Sequence, residues 1–287
     1  MDDFRRVGVV GCGLMGIGLA ELFAGRKLDV VVVGRRPVSV EAARKRLSVS
    51  LDRAVQKGRL TDADRAATLS RVDFSTDLAA LAGRQLVVEC VREDEYVKRE
   101  IFTALDKVVE NLDAVLATCT SSIPVMRLAR ATARPSRVLG THFFNPAPIM
   151  PLVEVIPTLL TEEQTVRRTE MFLTGVLGKK VVRAPDRSGF LVNALLVPYL
   201  LSAVRMLADG AGSAADIDQS MVLGCGYPMG PLALIDMIGL DVIAQVATEL
   251  YDEFKEPHYA PPPLLLRMID AGFLGKKTGI GFHQHRS

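Results

Sequence analysis

The sequence predicts an α/β protein: a doubly wound parallel sheet with a helical arm, followed by a smaller all-helical domain. Three observations carry that expectation. Short β-branched runs alternate with helix-length segments through the first half of the chain, the order that builds parallel sheets. A glycine turn, GCGLMG at 11–16, joins the first such run to the first helix. Beyond residue 186 the strand-like runs stop and long apolar helical patterns take over.

Residues 7–10, 29–33, 85–90 and 114–119 read as strands, and 14–24 as the first crossover helix. A charged helical stretch at 40–58 and a second helix from about Thr61 form an arm over roughly 38–70. This pair is longer than a simple crossover requires, so it is expected to project from the domain. Residues 138–157, VLGTHFFNPAPIMPLVEVIP, hold two more strand-like runs. The texture changes after Pro185, which sets the expected domains at 1–186 and 187–287. The apolar stretch 194–207 contains Pro198 and Arg205 and is too short to span a bilayer, so it reads as a buried helix. GCGYPMGP at 224–231 separates two helices, with Pro231 suited to a first turn. The helical domain carries more apolar faces than its size would bury, which points to a homodimer formed through it.

Composition narrows the function. With 287 residues, 49% hydrophobic and 24% charged, the chain is that of an ordinary soluble protein. A net charge of +2 lacks the basicity of a nucleic-acid binder, and no membrane partner is indicated. Cys12, Cys90, Cys119 and Cys225 have no metal-ligand or redox spacing, so no metal is expected and reduced thiols fit a cytoplasmic location. The start, MDDFRR, runs straight into the first strand and does not look like a targeting segment.

Two motifs carry the chemistry. Gly11, Gly13 and Gly16, with Leu14 and Met15, form the GxGxxG fingerprint of a Rossmann-type dinucleotide site. The glycines permit a tight turn and close approach of a pyrophosphate, and the helix start offers free N–H groups. At the end of the second strand, where an acid would bind the adenosine ribose, stand Gly34, Arg35 and Arg36. Room plus two guanidinium groups suits a 2′-phosphate, so NADP(H) is favoured over NAD(H). The plainer alternative is that both arginines are solvated and NAD binds through its other contacts. The second motif is His142, followed twelve residues later by Glu154. An imidazole oriented by a buried carboxylate suits proton transfer at a carbinol, and with the fingerprint it points to hydride transfer with a histidine base.

These residues lie within motifs that resemble the L-3-hydroxyacyl-CoA dehydrogenases, most closely the actinobacterial 3-hydroxybutyryl-CoA type. The resemblance spans essentially the whole chain: GCGLMG (11–16), VVECVREDEYVK (87–98), TSSIP (120–124), HFFNPAPIMPLVEV (142–155), SGFLVNALLVPYL (188–200), GYPMGPLALIDMIGLD (226–241) and GKKTGIGF (275–282). It implies that His142 is the acid/base, that Glu154 orients it, and that Ser121 hydrogen-bonds the reacting oxygen. It further implies that Asn193 holds the thioester, that Asn145 lies near the nicotinamide, and that Glu93 and Lys98 reach the cofactor's ribose and phosphates. Ser50 and Lys57 match coenzyme A contacts, which gives the helical arm a purpose. The implied reaction is reversible hydride transfer between a nicotinamide cofactor and C3 of a short 3-hydroxyacyl thioester.

Plainer readings stand beside these. Ser121 can cap a helix starting near Pro124, and Lys57 can be a solvated charge. His258, His283 and His285 read as surface residues, and Glu89 as a buried structural carboxylate. Two departures from the family pattern, Gly34 and Cys119 in place of the usual Asn before TSS, admit a biosynthetic paralogue acting on an unusual acyl-CoA or a carrier-protein thioester. A lambda-crystallin-like sugar-acid dehydrogenase shares the His–Glu layout, and a non-catalytic structural protein is a third possibility.

Overall fold

Valine-rich runs covered on both faces become central strands. The computed structural model describes residues 4–285, and the chain divides into two units, Met1–Asp186 and Arg187–Ser287. The first unit holds one sheet of eight strands: β1 (Arg6–Val10), β2 (Asp29–Val33), β3 (Val72–Ser75), β4 (Leu86–Glu89), β5 (Val115–Thr118), β6 (Val138–Phe143), β7 (Leu152–Pro157) and β8 (Lys180–Arg183). Their order is β3-β2-β1-β4-β5-β6-β7-β8. All neighbouring pairs are parallel except β6 and β7, which run antiparallel. Strand order reverses between β1 and β4, the switch point where open α/β sheets bind ligands. β3 and β8 escape the sequence reading: each has only four residues, and most of them are not buried.

Helix α1 (Leu14–Gly25) is apolar nearly all round and buries Ile17, Leu19, Leu22 and Phe23. Helices α2 (Pro37–Gln56) and α3 (Asp62–Leu69) make up the expected arm. Proline opens α2, and a Thr61–Asp64 capping box opens α3. The arm is not a free-standing projection, because Ala43, Leu47 and Leu51 lie in the same core cluster as the buried faces of α1, β1 and β2. The charged residues of α2 occupy the other face, which is the amphipathic pattern of a docked helix. Next come α4 (Glu95–Val108), α5 (Val125–Ala129) and α6 (Glu163–Met171).

The second unit contains α7 (Val192–Ala208), α8 (Ala214–Cys225), α9 (Pro231–Ile238), α10 (Leu240–Phe254) and α11 (Pro263–Asp270). Val197, Leu201, Val204, Leu232, Ile235, Ile243, Leu250 and Leu265 form its core. Among the described residues no single helix is long and apolar enough to cross a membrane.

Two buried aspartates tie the end of the chain to this unit. Asp218 accepts the N–H groups of Leu232 and Ala233 at 2.7 and 2.9 Å, and a 2.7 Å bond from His283. Asp236 accepts Phe282 N–H, His283 N–H and His285 Nε2–H, each at 2.8 Å. His283 and His285 are therefore half-buried partners and not the free surface residues the charged tail suggests; sequence alone does not show which acids lie opposite them. Removing a buried acceptor strands its donors. Asp236→Ala is expected to cost about 2–4 kcal/mol of stability, seen as a lowered melting temperature of the full chain.

Candidate active site

The glycine turn follows β1 directly. Gly11 has φ +124°, and a Cβ there would lie 2.5 Å from the Cys90 carbonyl oxygen. A Cβ on Gly16 would lie 2.1 Å from the Gly11 carbonyl oxygen. Both positions thus demand glycine for packing. Gly13 differs, because a Cβ there would meet nothing within 4 Å. It is the N-cap of α1, and no side chain caps that helix. Uncapped N–H groups facing open space at a switch point fit a pyrophosphate. Leu14 and Met15 form the first turn beside them.

At the β2 end, a Cβ on Gly34 would lie 2.4 Å from the Cys12 Sγ and 2.9 Å from Val40. A carboxylate side chain has no path there while Cys12 keeps its place. Arg35 and Arg36 are exposed just beyond.

The histidine lies at the same end of the sheet. β6 and β7 pair with His142 opposite Glu154, and His142 Nδ1 lies 2.7 Å from Glu154 Oε2. An ionised carboxylate can only accept, so Nδ1 is the donor in this contact. His142 is 6% exposed and Glu154 1%. The Phe144 ring meets the imidazole edge-on at 4.7 Å.

A second cluster links β4, β5 and α4. Glu89, at the end of β4, accepts Val91 N–H at 2.6 Å and Thr118 Oγ1–H at 2.8 Å. Lys98 Nζ lies 2.8 and 3.0 Å from its two oxygens, and 3.3 Å from Glu93 Oε2. Glu93 Oε1 accepts Ser121 N–H at 2.9 Å, Ser122 Oγ–H at 3.2 Å, and the Thr120 hydroxyl. Burial works against the Glu93 charge, but the Lys98 ammonium and the Thr120 and Ser121 donors outweigh it and hold the carboxyl below its usual range. For Lys98, burial is likewise outweighed, by Glu89 and Glu93, and its ammonium is held up.

Lys98 is only 1% exposed and already flanked by two carboxylates. Its ammonium is paired chiefly with Glu89. Ser121 does not cap α5. Asp186 does so from far along the chain, accepting Val125 and Met126 N–H at 2.6 and 2.8 Å. Cys119 is half-buried and donates its thiol to the Thr141 carbonyl at 3.3 Å.

A cleft of about 1040 Å³ opens between α1, α2 and the 145–149 loop, and Ser50, Lys57 and Asn145 all line it. Its charged residues are Arg26, Lys45, Arg46, Arg53, Lys57 and Arg59, against Glu21 alone. Burial pushes the Glu21 carboxyl up, and a hydrogen bond from Ser50 partly offsets this. Buried Lys179 anchors the loop by donating to the Ala147 and Met150 carbonyls at 2.7 and 2.8 Å. Sequence reading missed Lys179, whose only signal is a lysine entering a strand. Glu89, the acid that ends the apolar run LVVE, is fully buried, in keeping with its reading as a buried carboxylate. Asn193 lies apart from these groups in the chain, on the first turn of α7 in the second unit.

A parallel sheet with a glycine turn at its switch point, and a carboxylate-held histidine at the same strand ends, define a dinucleotide-dependent oxidoreductase. Family profiles agree in detail: "3-hydroxyacyl-CoA dehydrogenase, NAD binding domain" matches residues 6–187 and "3-hydroxyacyl-CoA dehydrogenase, C-terminal domain" matches 189–285. The 3-hydroxybutyryl-CoA dehydrogenase of Mycobacterium tuberculosis is 54% identical over 284 residues, 99% of either chain. The crystal structure of M. tuberculosis FadB2 superposes with a TM-score of 0.98 at 54% identity, covering 99% of this chain and 100% of that one. The (S)-3-hydroxybutyryl-CoA dehydrogenase of Ralstonia eutropha gives 0.93 at 40% identity, over 99% and 100%. The chain belongs to the 3-hydroxyacyl-CoA dehydrogenase family.

The two kinds of glycine make separable expectations. Gly16→Ala is expected to cost about 1–3 kcal/mol through overpacking, read as a lower melting temperature without any ligand. Gly13→Ala is expected to melt like the native chain yet bind NADPH at least tenfold more weakly in a fluorescence titration.

Proposed function

We propose that the chain interconverts short 3-hydroxyacyl-CoA and 3-oxoacyl-CoA thioesters of the 3-hydroxybutyryl-CoA type, with His142 as acid/base. The observation that carries this reading is the 2.7 Å His142–Glu154 pair at the strand ends of a dinucleotide fold. The names of the relatives support the substrate. A nicotinamide cofactor held at the Gly11–Gly16 turn would supply the acceptor and donor of hydride for C3. His142 Nε2 removes the 3-hydroxyl proton in oxidation and delivers it in reduction. Glu154 fixes the tautomer and stabilises the imidazolium that forms. Ser121 donates to the reacting oxygen, and Asn193 keeps the thioester role that the resemblance gives it. Preorganised donors of this kind contribute several kcal/mol.

The cation-lined cleft carries the coenzyme A assignment. Six cations suit the several phosphates of the coenzyme, contacted by Ser50 and Lys57. A carrier-protein pantetheine brings a single phosphodiester, and a sugar acid brings no phosphate at all. Asn145, on the cleft's loop, faces the nicotinamide side in this reading. For the cofactor we favour NADP(H), because Gly34 leaves no room for an acid beside Cys12 while Arg35 and Arg36 stand ready for a 2′-phosphate. Glu93 contributes to the cofactor's ribose from the edge of the site. Exposed apolar residues of the helical unit, Leu195 at 77% and Leu223 at 76%, support a homodimer, checked by light scattering. We place the enzyme in the cytoplasm, for which fractionation is the test.

Reduction of acetoacetyl-CoA followed at the nicotinamide absorbance tests the activity, and no turnover with either cofactor would end it. His142→Ala is expected to lower kcat by about 10²–10⁴-fold, and Glu154→Gln by a smaller factor, with KM little changed; native turnover in either would remove the dyad. Lys57→Ala is expected to raise KM severalfold for acetoacetyl-CoA but not for the N-acetylcysteamine thioester, which lacks the nucleotide. A kcat/KM higher with NADH than with NADPH would overturn the cofactor preference.

A further inference from the structure

We propose that Glu89 is a positioning residue for the 120–122 turn, acting through Lys98 and Glu93. The proposal rests on the reading of Ser121 as donor to the reacting oxygen. Glu89 touches none of the groups assigned to the substrate, its side-chain partners being Lys98 and Thr118, and it is fully buried. Its two oxygens take four hydrogen bonds from three groups: one each from Val91 N–H and Thr118 Oγ1–H and two from Lys98 Nζ. The ammonium is thus seated on Glu89 at 2.8 and 3.0 Å and only leans on Glu93, at 3.3 Å.

That asymmetry matters for Glu93. Its Oε2 faces Lys98, while Oε1 stays with the turn, accepting Ser121 N–H at 2.9 Å and Ser122 Oγ–H at 3.2 Å. The Thr120 side chain extends the order, accepting Ile123 N–H at 2.9 Å, and Thr118 Oγ1, itself bonded to Glu89, accepts Thr120 N–H at 3.2 Å. Two routes therefore run from Glu89 to the turn, one through Lys98 and Glu93 and one through Thr118. Without the negative charge of Glu89, the buried ammonium has Glu93 as its remaining carboxylate. The attraction between unlike charges in a dry interior then draws Glu93 inward, away from Ser121 N–H. A purely structural ion pair would stabilise the fold without setting the turn, so the two roles separate by experiment.

Hydrogen exchange of the full chain, followed by mass spectrometry over peptides 119–125 and 138–143, is combined with kinetics on acetoacetyl-CoA. Glu89→Gln is expected to speed exchange in 119–125 at least tenfold while 138–143 is unchanged. It is also expected to lower kcat at least tenfold with KM within twofold. Paired Glu89→Leu and Lys98→Met removes both charges and with them the Lys98 anchor of Glu93 Oε2 and the acceptor of Thr118, so it is expected to recover the melting temperature but neither the turn's protection nor kcat. Glu93→Gln, which leaves the Glu89–Lys98 pair intact and so keeps the fold, is expected to loosen the same peptide. Native exchange and kcat in Glu89→Gln would overturn the proposal, as would full recovery of both in the paired variant, or an unchanged turn in Glu93→Gln. The exchange comparison needs no substrate. A wild-type chain inactive on acetoacetyl-CoA would therefore fail the activity reading while the positioning role is still decided.

Discussion

The antiparallel pairing of β6 with β7 is the constraint on which the proposed chemistry depends. Through β6 the sheet is parallel, and each return needs a crossover over one face. The link from β6 to β7 spans only 144–151, so the chain must turn back beside itself. Register then sets Glu154 directly across from His142 on one face of the sheet. A slip of one residue would send either side chain to the opposite face. Lys179 holds the connecting loop by two of its carbonyls, so the turn that enforces the register is itself anchored.

Buried charge is handled in three ways, each suited to its place. Glu154 is 1% exposed and is matched by an imidazole that can become cationic. Glu89 and Lys98 neutralise each other under the strand ends, and every oxygen of Glu89 is hydrogen-bonded, which is what makes such a pair tolerable. Asp218 and Asp236 in the helical unit are satisfied by backbone N–H groups with one histidine each. Among the described residues, positive charge collects instead around the cleft at α2, which an anionic ligand can complete.

Much of this was legible in the sequence because it rests on local rules. The parallel sheet follows from apolar runs alternating with helices, and the dinucleotide turn from glycine spacing. Thr61 before Asp64 marks the start of α3. The pairing of His142 with Glu154 was readable because both sit in adjacent strand-like runs joined by a short link. Other features depend on residues distant in the chain and carried no local sign. Asp186 caps α5 across 61 residues, which displaced the capping role open to Ser121. The pairing of buried Lys98 with Glu89 is likewise set by folding. The charged stretch at 40–58 hid three core positions within its helical face.

The sequence by itself determined the fold class and the family and marked His142 and Glu154 as the candidate pair, because periodicity, glycine spacing and ordered motifs are properties of neighbours along the chain. Tertiary structure alone decided how those groups are held: which oxygen of Glu93 faces the turn, which nitrogen of His142 meets Glu154, and how Cys12 crowds the Gly34 position. Those are outcomes of packing and hydrogen-bond saturation between strands far apart in sequence, and they exist only once the sheet has closed around them.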